Sequence, residues 1–184
     1  MESRGAKLFG HRIHPMLIPF PLGLLSTSVL FDVDYLLTGN GKWSEIAFWM
    51  IAAGVLGGLA AIVFGAIDFS RVPDGTRAHS IGVVHALLSV SMLVLFVVSW
   101  LLRMDAPGEP GITPIILSLL AASLAVVTGW FGGELVERLG VGVADGAHLN
   151  APNSLSKHPA TEGSIDKQKK GEDSIAKADS DRRP

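Results

Sequence analysis

Four long stretches of the 184-residue chain contain no Asp, Glu, Lys or Arg. They cover residues 13–31, 46–67, 80–102 and 112–133, and each is 19 to 23 residues long. A helix of about 20 residues rises about 30 Å, which is the thickness of the hydrocarbon core of a bilayer. A soluble helical core would need amphipathic helices to cover it, and the chain has none. The pattern therefore predicts four transmembrane helices.

The fold class that follows is all-α, a polytopic membrane protein with an antiparallel four-transmembrane-helix bundle. We expect spans at about 14–37, 44–69, 79–102 and 112–136, within a transmembrane domain of residues 8–143. Residues 150–184 differ in composition, since they hold 7 of the 15 basic and 6 of the 17 acidic residues and no aromatic residue. Few apolar side chains are present to offset the entropy of ordering this segment, so it is predicted to be a disordered C-terminal tail.

Composition excludes several kinds of site. The chain has no cysteine, which excludes disulfides, thiolate zinc sites and cysteine-held iron–sulfur clusters. A net charge of -2 provides no basic field, so no nucleic-acid partner is expected. The serines of the predicted spans lie in mid-helix without a nucleophile elbow, and no residue is given a catalytic role. Histidine and carboxylate side chains remain as the strong ligands.

Basic residues are unequally distributed between the two sides of the membrane. One side has Arg4, Lys7, Arg12, Arg71, Arg77 and Arg138, to which the tail adds seven more, whereas the other has Lys42 and Arg103. The positive-inside rule predicts that both termini, and therefore the tail, are cytoplasmic.

Six ionisable side chains fall at the cytoplasmic ends of the four predicted helices. They are His11, His14, Asp68, His79, His85 and Glu134. Such groups in or near a span usually face a partner or a cavity, so this cluster is the candidate site. The alternative is that Asp68 pairs with Arg71 and Glu134 with Arg138, since both pairs have helical spacing.

Two histidines are the leading ligand candidates. His14 precedes a proline and is expected at or near the N-cap of the first helix, where the helix dipole favours a neutral imidazole. His85 lies six residues beyond His79 and therefore about 9 Å deeper in the membrane. Asp32 is on the same stripe of its helix as His14 but five turns away, which predicts a buried or interfacial carboxylate at the outer side.

Proline and glycine suggest how the helices pack. Pro19 and Pro21 remove backbone hydrogen bonds and predict a kink in the first helix. Small residues form a groove on the second helix and recur on the fourth, which predicts close helix packing or homo-oligomerisation. These residues are Gly54, Gly58, Ala61, Gly65, Gly129 and Gly133.

An ordered set of motifs resembles a bacterial family of predicted four-helix membrane proteins, catalogued as domain of unknown function twenty-two thirty-one. The motifs are His14-Pro15 with Pro19-Phe20-Pro21 and Asp32, the segments 65–69 and 85–88, and the segments 132–136 and 140–143. The resemblance covers about residues 8–143 and implies an integral protein of the bacterial inner membrane. Relatives fused to iron–sulfur domains of Rieske or rubredoxin type imply a redox setting. This chain has Ser89 where the family pattern tends to have Asn.

Three functions fit these observations. The first is a redox module that binds a b-type haem or a quinone through His14 and His85, with Asp68, Glu134 or Asp32 as supporting carboxylates and membrane redox proteins as partners. In the second, a metal or ion is handled by residues including His14, His79 and His85. The third is a noncatalytic assembly subunit that uses its glycine faces. The depth of His85 counts against symmetric ligation with His14, although a bend in the first helix reduces the difference.

The charge distribution makes a direct prediction about topology. A reporter fused to Pro184 is expected to show cytoplasmic activity, because the basic residues keep that end of the bundle on the cytoplasmic side of the membrane. Paired phosphatase and fluorescent-protein fusions measure this, with a fusion in the connection 103–111 as the control for the opposite side. Phosphatase activity at the C-terminus would contradict the predicted orientation.

Overall fold

The computed structural model describes residues 6–156 and 158–163. A short hairpin, β1 (Lys7–Leu8) and β2 (His11–Arg12), precedes the helices. The helices are α1 (Ile13–Leu17), α2 (Pro19–Thr38), α3 (Gly41–Phe69), α4 (Arg77–Leu101) and α5 (Ile112–Gly133), and a π-helical turn follows at Glu134–Arg138. Four helical segments are long and apolar enough to cross a membrane, namely Ile13–Thr38, Gly41–Phe69, Arg77–Leu101 and Ile112–Arg138. The predicted fold class is confirmed.

Proline interrupts the helical hydrogen bonding of the first span, and the kink expected from Pro19 and Pro21 stays a prediction. Helix α1 ends at Leu17 and α2 begins at Pro19, so the break falls where the prolines lack donors. The sequence placed His14 at or near an N-cap, and the structure has Arg12 as the cap and His14 as the second helical residue. His14 is therefore helical although a proline follows it.

The bundle consists of two antiparallel helical hairpins. Helices α2 and α3 pack closely along their length, as do α4 and α5. The hairpins meet in an apolar core formed by Leu25, Val29, Ile51, Val55, Leu93, Phe96 and Ala121. Large apolar side chains also cover the outside, with Leu56 69% and Val126 75% exposed. Helices that are apolar on every face suit a lipid environment.

The second hairpin repeats the buried pattern of the first. Each residue in the first helix of the first hairpin corresponds to the residue 71 positions later, in the first helix of the second hairpin. For the second helices of the two hairpins, corresponding residues are 67 positions apart. The equivalent pairs are His14 and His85, Leu25 and Phe96, Ser28 and Ser99, Asp32 and Arg103, Ala61 and Thr128, and Gly65 and Gly132. Three of these six pairs are identical, and the hydropathy and charge patterns of the sequence do not reveal the repeat.

One end of the bundle, which we call the histidine end, contains the start of α1, the end of α3, the start of α4 and the end of α5. The opposite, or far, end contains Asp32 and Arg103, which are both fully buried. Their side chains form two hydrogen bonds, Nη1 to Oδ1 at 2.5 Å and Nη2 to Oδ2 at 2.7 Å. Ser99 and Ser118 also accept hydrogen bonds from the guanidinium group, so both charges are well satisfied.

The predicted tail at 150–184 falls largely outside the described residues. Within it, residues 150–156 and 158–163 contain turns and no helix or strand.

The buried ion pair predicts a large loss of stability in Asp32→Ala. This change leaves a guanidinium group buried without a carboxylate, and breaking such a pair costs about 3–5 kcal/mol. Thermal unfolding of the purified protein in detergent measures it. Asp34→Ala, two residues along the same helix and outside the network, is the control, and Asp32→Arg with Arg103→Asp should recover part of the loss. Equal melting of Asp32→Ala and Asp34→Ala would contradict the prediction.

Candidate histidine site

His14 is held against the second helix of its own hairpin. Its Nδ1 lies 2.7 Å from the backbone oxygen of Ala61. The imidazole also packs on Gly65, where a Cβ atom would lie only 2.9 Å from the His14 Cε1 atom. Glycine at position 65 is therefore required for this close approach. The contact fixes the ring on the bundle side of α1.

His85 makes the equivalent contacts in the second hairpin. Its Nδ1 lies 3.0 Å from the backbone oxygen of Thr128. The ring packs beside Gly132, where a Cβ atom would lie 3.3 Å from the His85 Cε1 atom. Ala61 and Thr128 are equivalent positions of the repeat, and so are the two glycines. The two imidazoles are thus held by the same device.

The hydrogen bonds to the backbone define the tautomer of each imidazole. A backbone carbonyl oxygen only accepts hydrogen bonds, so Nδ1 must carry the hydrogen in both rings. In the neutral ring, Nε2 then has a free lone pair. Donation of the other ring N–H to a carbonyl is the usual arrangement of a metal-ligating histidine. Both side chains therefore present a ligand nitrogen.

The two histidines lie at similar depth. Ala61 is eight residues before the end of α3, and His85 is eight residues after the start of α4. The two helix ends are joined by a short connection, so each position is about 12 Å from the same end of the bundle. The depth difference expected from the sequence is largely removed, because the β-hairpin and α1 extend beside the last turns of α3.

Thr128 adds an unusual polar group at this site. Its side chain is 7% exposed, and its Oγ1 atom has no hydrogen-bond partner among the described residues. The equivalent position in the first hairpin is Ala61. The surroundings of His85 are therefore more polar than those of His14.

The acidic residues pair with arginines that are distant in sequence. Asp68 lies 3.2 Å from Arg12, and Glu134 accepts a 2.6 Å hydrogen bond from Arg77. The ion pairs of the described residues therefore do not support the alternative in which these carboxylates pair with Arg71 and Arg138. Long-range arginines are available because the β-hairpin places Arg12 beside the end of α3 and because the π-helical turn begins at Glu134. Both pairs lie beyond the histidines toward the histidine end.

Two other histidines of the predicted cluster, His79 and His11, have partners of their own. His79 lies 3.0 Å from Asp74 and stacks on Phe69, at the connection between the hairpins. His11 contacts the backbone oxygen of Phe9 in the β-hairpin. Among residues 6–156 and 158–163 there is no group of three or more His, Cys, Asp or Glu side chains that could hold a metal ion. His79, a candidate metal ligand by sequence, is thus engaged with a loop carboxylate.

Asp32 lies at the far end, as its five-turn separation from His14 predicted, and its partner Arg103 was missed. Ser89 donates to the backbone oxygen of His85 one turn back, at 2.7 Å. Two other residues missed by sequence, Arg12 and Arg77, anchor the carboxylates. One signal in the sequence could have indicated that the two hairpins are related at this end. The Phe-Gly dipeptide occurs at 64–65 and at 131–132, each time followed within four residues by a carboxylate.

The glycine groove of α3 is filled by the chain itself. A Cβ atom at Gly54 would meet Leu25, and one at Gly58 would meet Leu93. These positions therefore serve packing within the bundle, which removes them as a surface for a second copy. Gly129 and Gly133 face no other described atom within 4 Å.

The contact between Gly65 and His14 predicts a graded substitution series. Gly65→Ala places a Cβ atom inside contact distance of the imidazole, and overpacking of this kind costs about 1–3 kcal/mol. Gly132→Ala is expected to have a smaller effect because its contact is longer. Gly23→Ala is the control, since nothing described lies within 4 Å of that position. Melting temperatures in detergent test this order of destabilisation. A Gly65→Ala variant that is more stable than Gly23→Ala would contradict it.

The comparisons with known proteins agree with the resemblance noted in the sequence. The chain shows no significant similarity to curated proteins or to solved structures. The family model described as "Predicted membrane protein (DUF2231)" matches residues 10–145, which is most of the chain and the whole helical bundle. The protein therefore belongs to the DUF2231 family of predicted membrane proteins.

Proposed function

We propose that this protein is a membrane redox module in which His14 and His85 would hold a b-type haem through their Nε2 atoms. The observation that supports it is the matched pair of imidazoles, each donating Nδ1–H to a backbone carbonyl at similar depth. A haem held in this way supplies one-electron transfer. The hydrogen bonds to Ala61 and Thr128 would orient the rings and increase the basicity of Nε2.

A haem suits the donor set better than a bare metal ion does. A structural zinc site takes four protein ligands, and a catalytic one takes three. The described residues bring together no such group. A porphyrin supplies four nitrogens itself, so two histidines would complete the coordination of its iron. Two imidazoles without a third ligand therefore favour haem over zinc, copper or non-haem iron.

The same tautomer argues against a quinone that is hydrogen-bonded directly to the two histidines. A quinone carbonyl needs a hydrogen-bond donor, and the Nδ1–H groups are already donated to the backbone. The free Nε2 atom of a neutral imidazole only accepts. Metal ligation is the role that suits this atom. Asp68 and Glu134, each paired with an arginine, would stabilise the end of the bundle below the ligands.

We further propose that the protein lies in a bacterial inner membrane with both termini in the cytoplasm. The unequal distribution of Lys and Arg supports this orientation. The histidine pair would then lie in the cytoplasmic half of the bundle. Membrane redox proteins that reach this leaflet are the expected partners.

Optical spectra of the purified protein test the haem proposal. The protein, produced with a haem precursor, is expected to show a Soret band and reduced-state bands typical of two axial histidines. His14→Ala and His85→Ala should abolish these bands, because each removes one axial ligand. His79→Ala is the matched control, since that side chain pairs with Asp74 away from the site.

Circular dichroism separates loss of haem from loss of fold in these variants. Bound metal without haem would support the metal-handling alternative. A folded, colourless and metal-free protein, whose His14→Ala and His85→Ala variants behave as the parent does, would overturn the proposal and favour a noncatalytic assembly subunit.

A further inference from the structure

The β-hairpin that precedes α1 contains a strained aromatic residue. Leu8 pairs with His11, so Phe9 and Gly10 form the two-residue turn. Both have positive φ, 51° for Phe9 and 83° for Gly10, which is the geometry of a type I′ turn. Asn, Asp or Gly normally occupies the first of these positions, and a bulky residue there is an outlier. Strain of this kind is retained where the side chain has a role.

The turn presents apolar side chains that the described residues leave largely exposed. Phe9 is 72% exposed and Leu8 is 46% exposed. The segment 153–155 lies against the hairpin, since a Cβ atom at Gly10 would lie 2.9 Å from the backbone oxygen of Ser154. Its Leu155 is 71% exposed and lines a groove with Phe9. An apolar surface is thus built at the tip of the hairpin.

The position of the hairpin relative to the spans identifies what this surface meets. Arg12, at the end of β2, pairs with Asp68, the residue before the last of α3. Helix α3 has 29 residues and is about 43 Å long, so its ends extend past a hydrocarbon core of about 30 Å. The hairpin therefore lies level with the lipid headgroups. The exposed Lys7 on β1 adds a positive charge that suits anionic headgroups.

We propose that the tip of this hairpin, Leu8 and Phe9, inserts into the headgroup and upper acyl region of the leaflet at the histidine end. The occupant of the surface is the lipid of the bilayer that the protein spans. Apolar and aromatic side chains bind at this depth, and adjacent basic residues strengthen the binding. The anchor fixes the start of α1, and with it His14, against the end of α3. The inference does not depend on haem binding.

Spin labelling of the full-length chain tests this directly. The protein has no cysteine, so Leu8→Cys introduces a single labelling site. In nanodiscs of phosphatidylethanolamine and phosphatidylglycerol, a nitroxide there is expected to be relaxed more by molecular oxygen than by a water-soluble nickel chelate. Pro73→Cys, in the exposed connection at the same end, is the control and should show the reverse order.

A second substitution separates anchoring from turn formation. Phe9→Gly removes the strain and keeps the turn, because glycine accepts positive φ, but it removes the aromatic ring. In Phe9→Gly, we expect the label at position 8 to be relaxed more by the nickel chelate than by oxygen, as at position 73. In Phe9→Trp, the label should still be relaxed more by oxygen. Asn tolerates the same φ, so Phe9→Asn replaces the glycine variant if circular dichroism shows altered folding.

A label at position 8 that is as accessible to nickel as the one at position 73 would overturn the proposal. No change on Phe9→Gly would overturn it too. A label that is accessible in nanodiscs but shielded in native membranes would show that a protein covers the surface instead.

Discussion

The buried ion pair between Asp32 and Arg103 is the constraint on which the arrangement of the two hairpins depends. A charge inside a membrane bundle is strongly unfavourable unless it is paired and hydrogen-bonded. Here the carboxylate comes from α2 and the guanidinium group from Arg103, two residues beyond the end of α4, while Ser118 of α5 completes the shell. Three of the four spans therefore contribute side chains to this network. The core that the hairpins share is apolar, and apolar contacts in lipid specify relative position poorly. The ion pair supplies the register that they lack.

The far end and the histidine end differ in how their polar side chains are used. At the far end, the hydrogen-bonding groups of Asp32, Arg103 and Ser99 are directed at one another. At the histidine end, each imidazole donates to its own hairpin, and its Nε2 atom has no hydrogen-bond partner among the described residues. Buried polar atoms without such a partner occur at both ends, and they include Thr128 Oγ1 at the histidine end and Ser44 Oγ and Trp100 Nε1 at the far end. The two imidazoles, and not the unpaired hydroxyl of Thr128, therefore distinguish the histidine end as the candidate site.

The four spans could be predicted from the sequence because absence of charge over a membrane thickness is a local signal. Pro19 and Pro21 likewise placed the break in the first span, since the missing donor is a property of the residue itself. The partners of Asp68 and Glu134 could not be predicted, because helical spacing offered Arg71 and Arg138 while the folded chain brings Arg12 and Arg77 closer. The importance of Arg103 was hidden for a related reason. It lies just past an apolar span, where a basic residue usually faces the headgroups, and only the position of Asp32 shows that it is buried.

The repeat links these two ends. Asp32 and Arg103 occupy equivalent positions, so two copies of the same hairpin packed in this way would bring together two carboxylates or two guanidinium groups. Burial of like charges is strongly unfavourable, which means that each hairpin selects the other and rejects a copy of itself. His14 and His85 are equivalent and identical, as expected if both bind one ligand. The repeat therefore differs where the hairpins must recognise each other and agrees where they present the same chemistry. Thr128 opposite Ala61 is the exception within the site, and it makes the two imidazoles inequivalent despite their matched hydrogen bonds.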